Sequence, residues 1–293
     1  MKHKFIVTYF ILALATLSIA RVFQILFLLE PKTGFYKTEY SSTHILYITF
    51  FICVVIVLAA FAFASRRMPT HAPKVDKFLG ILSFLVAISF AISSGVDLVN
   101  GLSSTKILSA MFSLLAAIFF VIYGLSGISN IKVPLVATLF VFPVWGFRLV
   151  TSFVSFTGMA NITENIYDIL MLCVNLLFFV IMAKILSGVY VIRSIRYAYP
   201  VGLIASLLCI MCSVPRYIVV LIGHKDILHE STTLDISVLA TGIFIAAFTL
   251  KLYCKSNLDR KERSTKTIAY NGMNAAQMSR EYIIERDEKN KLN

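Results

Sequence analysis

Ile45-Leu-Tyr-Ile-Thr-Phe-Phe-Ile-Cys-Val-Val-Ile-Val-Leu-Ala-Ala-Phe-Ala-Phe-Ala64 runs for 20 residues without a charge. A helix rises about 1.5 Å per residue, so roughly 20 apolar residues cross the roughly 30 Å hydrocarbon core of a bilayer. Working outward, eight stretches have this character: Phe5–Leu29, His44–Ser65, Phe78–Val99, Ile107–Ser126, Val133–Phe156, Ile166–Ile192, Val201–Ile222 and Ile236–Tyr253. The connections are short. The sequence therefore predicts an all-α, polytopic integral membrane bundle of about eight transmembrane helices over residues 1–253. A basic polar tail over 254–293 follows it.

Composition agrees. Of 293 residues, 58% are hydrophobic and 14% charged, and the mean hydropathy is +0.84. Soluble domains are nearer half apolar and a quarter charged. Disorder, a secreted disulfide scaffold and an ordinary soluble enzyme are excluded on this ground.

Lysine and arginine total 27 against 15 acids, a net charge of +12. In alternate connections and the two termini, 19 basic residues fall on one side, including Lys2, Lys4, Arg66, Arg67, Arg193, Arg196 and the tail. Only Lys32, Lys37, Lys106 and Lys225 fall on the other. The positive-inside rule then places both termini in the cytoplasm, as expected of a multi-pass plasma-membrane protein. The basic excess is a topology signal, and a nucleic-acid role loses its main support. The stretch from Lys251 to Lys266 is expected to rest on anionic inner-leaflet lipid.

Met1-Lys-His-Lys before an apolar run has the form of a signal peptide, with Ala20 where cleavage would fall. The run resumes after Arg21 as Val-Phe-Gln-Ile-Leu-Phe-Leu-Leu, so the expectation is a retained first helix. Cys209-x-x-Cys212 lies mid-span, away from the exposed helix N-terminus that thioredoxin-type chemistry needs, and reads as a pair of small buried side chains.

Charges inside spans cost about 2.5–3.5 kcal/mol each on insertion and mark functional sites by default. Arg21, Asp97, Arg148 and Arg216 occupy the first, third, fifth and seventh spans, each toward the outer end. The arginines are expected roughly 9–12 Å below the outer boundary, with Asp97 shallower. The surrounding wording recurs: Pro143-Val-Trp-Gly-Phe-Arg148-Leu-Val, Ser213-Val-Pro-Arg216-Tyr-Ile-Val-Val, Ile19-Ala-Arg21-Val-Phe and Ser94-Gly-Val-Asp97-Leu-Val. This suggests four parallel helical-hairpin repeats, with an acid replacing arginine in the second.

Asp168 and Asp235 reach the same level from the sixth and eighth spans. Asn165-x-x-Asp168 and Thr232-x-x-Asp235 have capping-box spacing, a role compatible with facing an arginine. For the arginines, snorkelling to outer headgroups competes with a shared internal site. The site favoured here gathers the three arginines with Asp97 and Asp168 and keeps a positive surplus. Guanidinium groups grip carboxylate or phosphate bidentately, so an anionic or amphipathic solute or lipid headgroup is the expected guest. A purely structural ion-pair network is the competing outcome. Trp145, the sole tryptophan, is too deep for an interfacial belt; it either lines that cavity or simply packs. Pro143 and Pro215 would permit kinks just before Arg148 and Arg216.

No HExxH, GxSxG or paired intramembrane aspartates appear, and no Walker A or GxGxxG, so no cofactor is expected. His224 and His229 near Asp226 and Glu230 lack the spacing of a metal site on one helix face and read as a solvated loop. Asn161-Ile-Thr163 fits the glycosylation pattern but lies close to the membrane.

The Pro143–Val150 stretch, the Pro215-Arg216 pair and the turn Glu30-Pro-Lys-Thr-Gly-Phe-Tyr36 resemble a family of uncharacterised multi-pass membrane proteins from Firmicutes, especially clostridia. The resemblance carries no activity and implies only a bacterial plasma-membrane location. The leading functional expectation is a carrier or flippase-like protein binding its guest among Arg21, Asp97, Arg148, Asp168, Arg216 and Trp145. A non-transporting sensor or assembly subunit with a protein partner is the alternative, and a lipid-active enzyme using Asp97 or Asp168 comes third.

Overall fold

A computed structural model of the chain describes residues 2–28, 37, 41–64, 76–99, 103–129, 133–156, 163–188, 191–223 and 235–252. The tail from Cys254, the two histidines His224 and His229, Asn161 and the Glu30–Tyr36 turn lie outside the described residues. No strand occurs among those described. In hydrocarbon every backbone N–H and C=O must find its partner within the segment, which leaves the helix as the form for these apolar runs.

The helices in chain order are α1 (Lys2–Phe23), α2 (Ser41–Ala64), α3 (Lys77–Val99), α4 (Ser104–Ser129), α5 (Phe142–Phe156), α6 (Thr163–Leu186), α7 (Val191–Leu221) and α8 (Ile236–Leu252). A π-helical stretch, Gln24–Leu28, extends α1, and a 3-10 stretch, Val136–Val141, leads into α5. Among the described residues six helices are long and apolar enough to cross a membrane, and Ile45–Ala59 and Ile236–Leu252 form shorter apolar helices. Large apolar side chains such as Leu12, Ile19, Leu46, Ile81 and Val154 are exposed. An apolar surface this extensive is that of a membrane-embedded protein rather than of a water-soluble monomer.

The junction between the sixth and seventh spans departs most from the sequence expectation. The sixth span was expected to reach Ile192, but α6 stops at Leu186, and Gly188 follows at φ +77°, a left-handed conformation that glycine adopts without Cβ strain. The seventh was expected from Val201, yet α7 starts ten residues earlier and carries both Pro200 and Pro215 within it. Pro143 sits at the second position of α5, where a missing N–H costs little, so it marks the change from 3-10 to α geometry rather than a kink inside a helix.

Packing follows the membrane rule that small residues let backbones approach. Where α3 meets α4, a Cβ on Gly80 would lie 2.9 Å from the carbonyl oxygen of Gly124. The hydroxyls of Ser83 and Ser94 donate across the same seam to the carbonyls of Phe120 and Ala110. Helix α7 lies at the centre, packed against α1, α2 and α6. Its Gly202 fits against Thr249 of α8 and Phe178 of α6, while Gly242 of α8 fits against Cys209 of α7. Asn175 of α6 and Cys209 exchange hydrogen bonds, Nδ2 to Sγ at 3.0 Å and Sγ to Oδ1 at 3.2 Å. Cys209 is thus a packed, hydrogen-bonded group.

An aromatic ladder fills the interior. Phe90 stacks on Phe120, Trp145 stacks on Phe179, and Phe120 meets Phe244 edge-on. These rings come from α3, α4, α5, α6 and α8. At one end of the bundle α3, α5 and α7 finish and α4, α6 and α8 begin; the candidate site lies there. At the opposite end, Lys251 of α8 pairs with Asp76, just before α3, at 2.9 Å.

Candidate functional site

A cavity of about 630 Å³ opens at the end where α3, α5 and α7 finish. Its lining includes Asp97, Arg148, Asp168, Arg216 and Asp235, with Ser93, Ser109 and the apolar side chains Ile92, Val96 and Ile236 among their neighbours. Charges up to five spans apart in sequence meet because consecutive hairpins finish each odd-numbered helix, and start each even-numbered one, at the same end.

Arg148 is held from three sides. Its Nη1 lies 2.8 Å from Oδ2 of Asp235 and donates to Oγ of Ser237 at 3.1 Å. Its Nη2 donates to Oγ of Ser93 at 3.3 Å. The guanidinium also sits 5.6 Å from the centre of Phe90 and 5.7 Å from that of Trp145, within cation–π range. One side chain thereby joins α5 to α3 and α8.

Arg216, beside Pro215 on α7, pairs with Asp168 on α6. Nη2 lies 2.9 Å from both carboxylate oxygens, with Oδ2 accepting the hydrogen bond and Oδ1 in ionic contact. Side-chain exposure is 7% for Arg216 and 15% for Asp168, so neither charge reaches bulk water freely. Asp97, near the end of α3, accepts a hydrogen bond from the Ser109 hydroxyl of α4 at 2.8 Å.

Asp168 is the sixth residue of α6, too far in to be the N3 acid of a capping box opened by Asn165. Its partner is Arg216 instead. Asp235 immediately precedes α8 and is itself the N-cap, not the N3 residue: its Oδ1 accepts the Ser237 backbone N–H at 2.9 Å. Its other oxygen holds Arg148, so the capping and counter-ion roles coexist in one carboxylate.

Two of the expected site residues lie elsewhere. Arg21 is 2% exposed and lines no part of this cavity. It donates from Nη1 to Oε1 of Gln24 at 2.6 Å and lies 4.4 Å over the ring of Tyr167. Tyr167 and Asp168 are consecutive on α6, so their side chains point about 100° apart, one toward α1 and the other toward α7. Trp145 is completely buried in the aromatic ladder and does not line the cavity either; Arg148 stands between it and the opening.

With Arg21 outside the set and Asp235 inside it, the expected charge is reversed. Among the described residues the lining holds Arg148 and Arg216 against Asp97, Asp168 and Asp235, a surplus of carboxylate rather than of arginine. Sequence reasoning placed Asp235 at this level but omitted it from the site, and it missed the hydroxyls of Ser93, Ser109 and Ser237. A serine four residues before Asp97 is a usable signal, since that spacing puts both on one helix face. Ser237 has no such signal, because its role depends on where α8 starts. Among the described residues no three His, Cys, Asp or Glu side chains are grouped to hold a metal ion.

No protein family, curated protein or solved structure matches this chain.

Proposed function

We propose that this chain crosses a bacterial plasma membrane eight times, with both termini in the cytoplasm, and acts as a carrier or flippase-like protein for an amphipathic solute or lipid headgroup. Eight apolar helices and the strong bias of lysine and arginine toward one set of connections support the topology. On that topology the cavity faces the outer leaflet. The four helical hairpins follow as parallel repeats, with Asp97, Arg148 and Arg216 at equivalent levels and Arg21 diverted to α6. The tail from Cys254 lies along anionic inner-leaflet lipid, and no nucleic acid is involved.

One observation carries the reading: five ionisable side chains, from four helices and the cap of a fifth, converge on a single cavity of about 630 Å³ instead of each leaving the membrane by its own route. That volume is within the usual range of small-molecule sites. Polar groups interleaved with Ile92, Val96 and Ile236 in one lining suit a guest with a charged and an apolar part. An anion alone is disfavoured relative to the sequence expectation, because it would have to displace a carboxylate from either arginine.

The test is transport in proteoliposomes, followed with fluorescent lipids of several headgroups and an impermeant quencher. Wild-type protein accelerates loss of the protected signal for at least one headgroup, and Arg148→Ala and Arg216→Ala abolish this while remaining folded by circular dichroism. Rates equal to those of empty vesicles for every lipid and solute tried would reject the carrier reading.

A sensor or assembly subunit is the second reading, and the 2.8–2.9 Å pairing of each cavity arginine with an aspartate on another helix favours it. In that case the charges join helices, Arg148→Ala lowers stability without loss of any ligand, and a stoichiometric protein partner co-purifies.

A further inference from the structure

Building on the reading of the cavity as a binding site, we propose that it recognises a primary ammonium group attached to an apolar body, and that Asp97 is the carboxylate that receives it. Arg148 and Asp235 neutralise each other at 2.8 Å, and Arg216 and Asp168 do so at 2.9 Å. Asp97 has the Ser109 hydroxyl at 2.8 Å, and among the described residues no lysine or arginine lies within ion-pair distance of it. A hydroxyl offers one hydrogen bond and no charge, whereas a carboxylate has room for about four. The remaining lone pairs of Asp97 border the cavity. A cation completes this arrangement directly; an anion must first break one of the two existing pairs.

The type of cation follows from the walls. A bare divalent ion is disfavoured, because no cluster of three ligating side chains exists among the described residues. A quaternary ammonium is held by a cage of aromatic faces. Here Tyr217 is the sole aromatic lining residue among those described. A primary ammonium carries three N–H donors, and the acceptors at hand are the Asp97 carboxylate and the oxygens of Ser93 and Ser109. The rest of the guest is apolar: Ile92 and Val96 flank Asp97 along α3, and each is about half exposed, at 51%. Such a molecule has two sources, the amino headgroup of an outer-leaflet lipid or a free amphipathic amine.

The test is native mass spectrometry of the full chain in detergent. The probes are dodecylamine, its trimethylated analogue, dodecanol and dodecanoate, together with phosphatidylethanolamine, phosphatidylcholine and phosphatidylglycerol of matched chains. Wild-type protein is expected to retain dodecylamine about ten-fold more tightly than dodecanol, the trimethylated analogue or dodecanoate, the scale of one charge-assisted hydrogen-bonded contact. Asp97→Asn removes that preference, and Asp97→Glu keeps most of it. Stronger retention of phosphatidylethanolamine than of dodecylamine identifies a lipid headgroup as the source, and the reverse order identifies a free amine.

Equal affinities for dodecylamine and dodecanol in wild-type protein overturn the proposal, and that comparison needs no variant to fold. Unchanged amine affinity in folded Asp97→Asn overturns it as well. Failure of every amphiphile to bind instead overturns the binding-site reading on which it rests, while amine binding without transport removes only the carrier function.

Discussion

Asp235 caps α8 with one carboxylate oxygen and holds Arg148 of α5 with the other, at 2.9 and 2.8 Å. The two bonds tie the start of one helix to the body of another, and the Ser237 hydroxyl, 3.1 Å from the same guanidinium, strengthens the joint.

Removing only one member of this joint leaves the other charge uncompensated. Asp235→Ala is expected to cost about 2–4 kcal/mol, combining a lost cap with an orphaned arginine that is partly accessible. Arg148→Met with Asp235→Leu recovers the ion-pair share but not the cap. Thermal unfolding of detergent-solubilised protein checks the order: double variant above either single one.

The Arg216–Asp168 pair gives a cleaner cycle, because Asp168 lies within α6 rather than at its N-cap. Arg216→Gln and Asp168→Asn should each destabilise, and together they should fall short of the sum by about 1–3 kcal/mol. Additive losses would show that the two charges do not act on each other in the folded protein.

Arg21 serves as the internal control for the site. Arg21→Leu removes its contacts with Gln24 and the Tyr167 ring, and so lowers the unfolding temperature. It should leave cavity affinity within about two-fold, since a residue outside a site contributes little to its binding. A loss comparable to that of Arg216→Ala would place Arg21 in the site after all.

Glycine-to-alanine changes separate contact from helix propensity. Gly202→Ala drives a methyl into Thr249 and to 2.9 Å from the Phe178 ring, an overpacking cost of about 1–3 kcal/mol. At Gly146 nothing lies within 4 Å of the added carbon, so the same change should stabilise by about 0.5–1 kcal/mol. Opposite shifts in unfolding temperature are the expected result.

Asp76 and Lys251 make the contrasting ion pair. With side-chain exposures of 59% and 32% it is screened, and Asp76→Ala should change stability by less than about 1 kcal/mol. Unfolding at low and high salt checks this, the small difference shrinking as salt rises.

The helices were legible because an uninterrupted apolar run has one stable form in hydrocarbon, and each of the eight expected stretches contains a helix. Their ends were less so. Gly188 is a usable stop signal for α6, but nothing in the run to Pro200 signals that Pro200 lies within the next helix; that depends on how α7 enters the bundle. Convergence of Asp97, Arg148, Asp168 and Arg216 was readable from their common depth. Depth does not give direction around a helix, however, which is why Arg21 and Trp145 were placed with them. Arg21 instead faces Tyr167, a ring on another helix, and Trp145 meets Phe90 and Phe179. Those partnerships arise only once the helices are packed.

The position of Trp145 has a practical consequence. It is the sole tryptophan of the chain, fully buried, stacked on Phe179 and 5.7 Å from the Arg148 guanidinium. Excitation at the red edge of protein absorption therefore addresses a single indole, one side chain removed from the cavity. Its emission is expected to be blue-shifted by the dry surroundings and to shift when the cation beside it moves. A guest in the cavity, as proposed, would thus have a built-in optical reporter, readable without labels and without introducing a foreign fluorophore into the membrane.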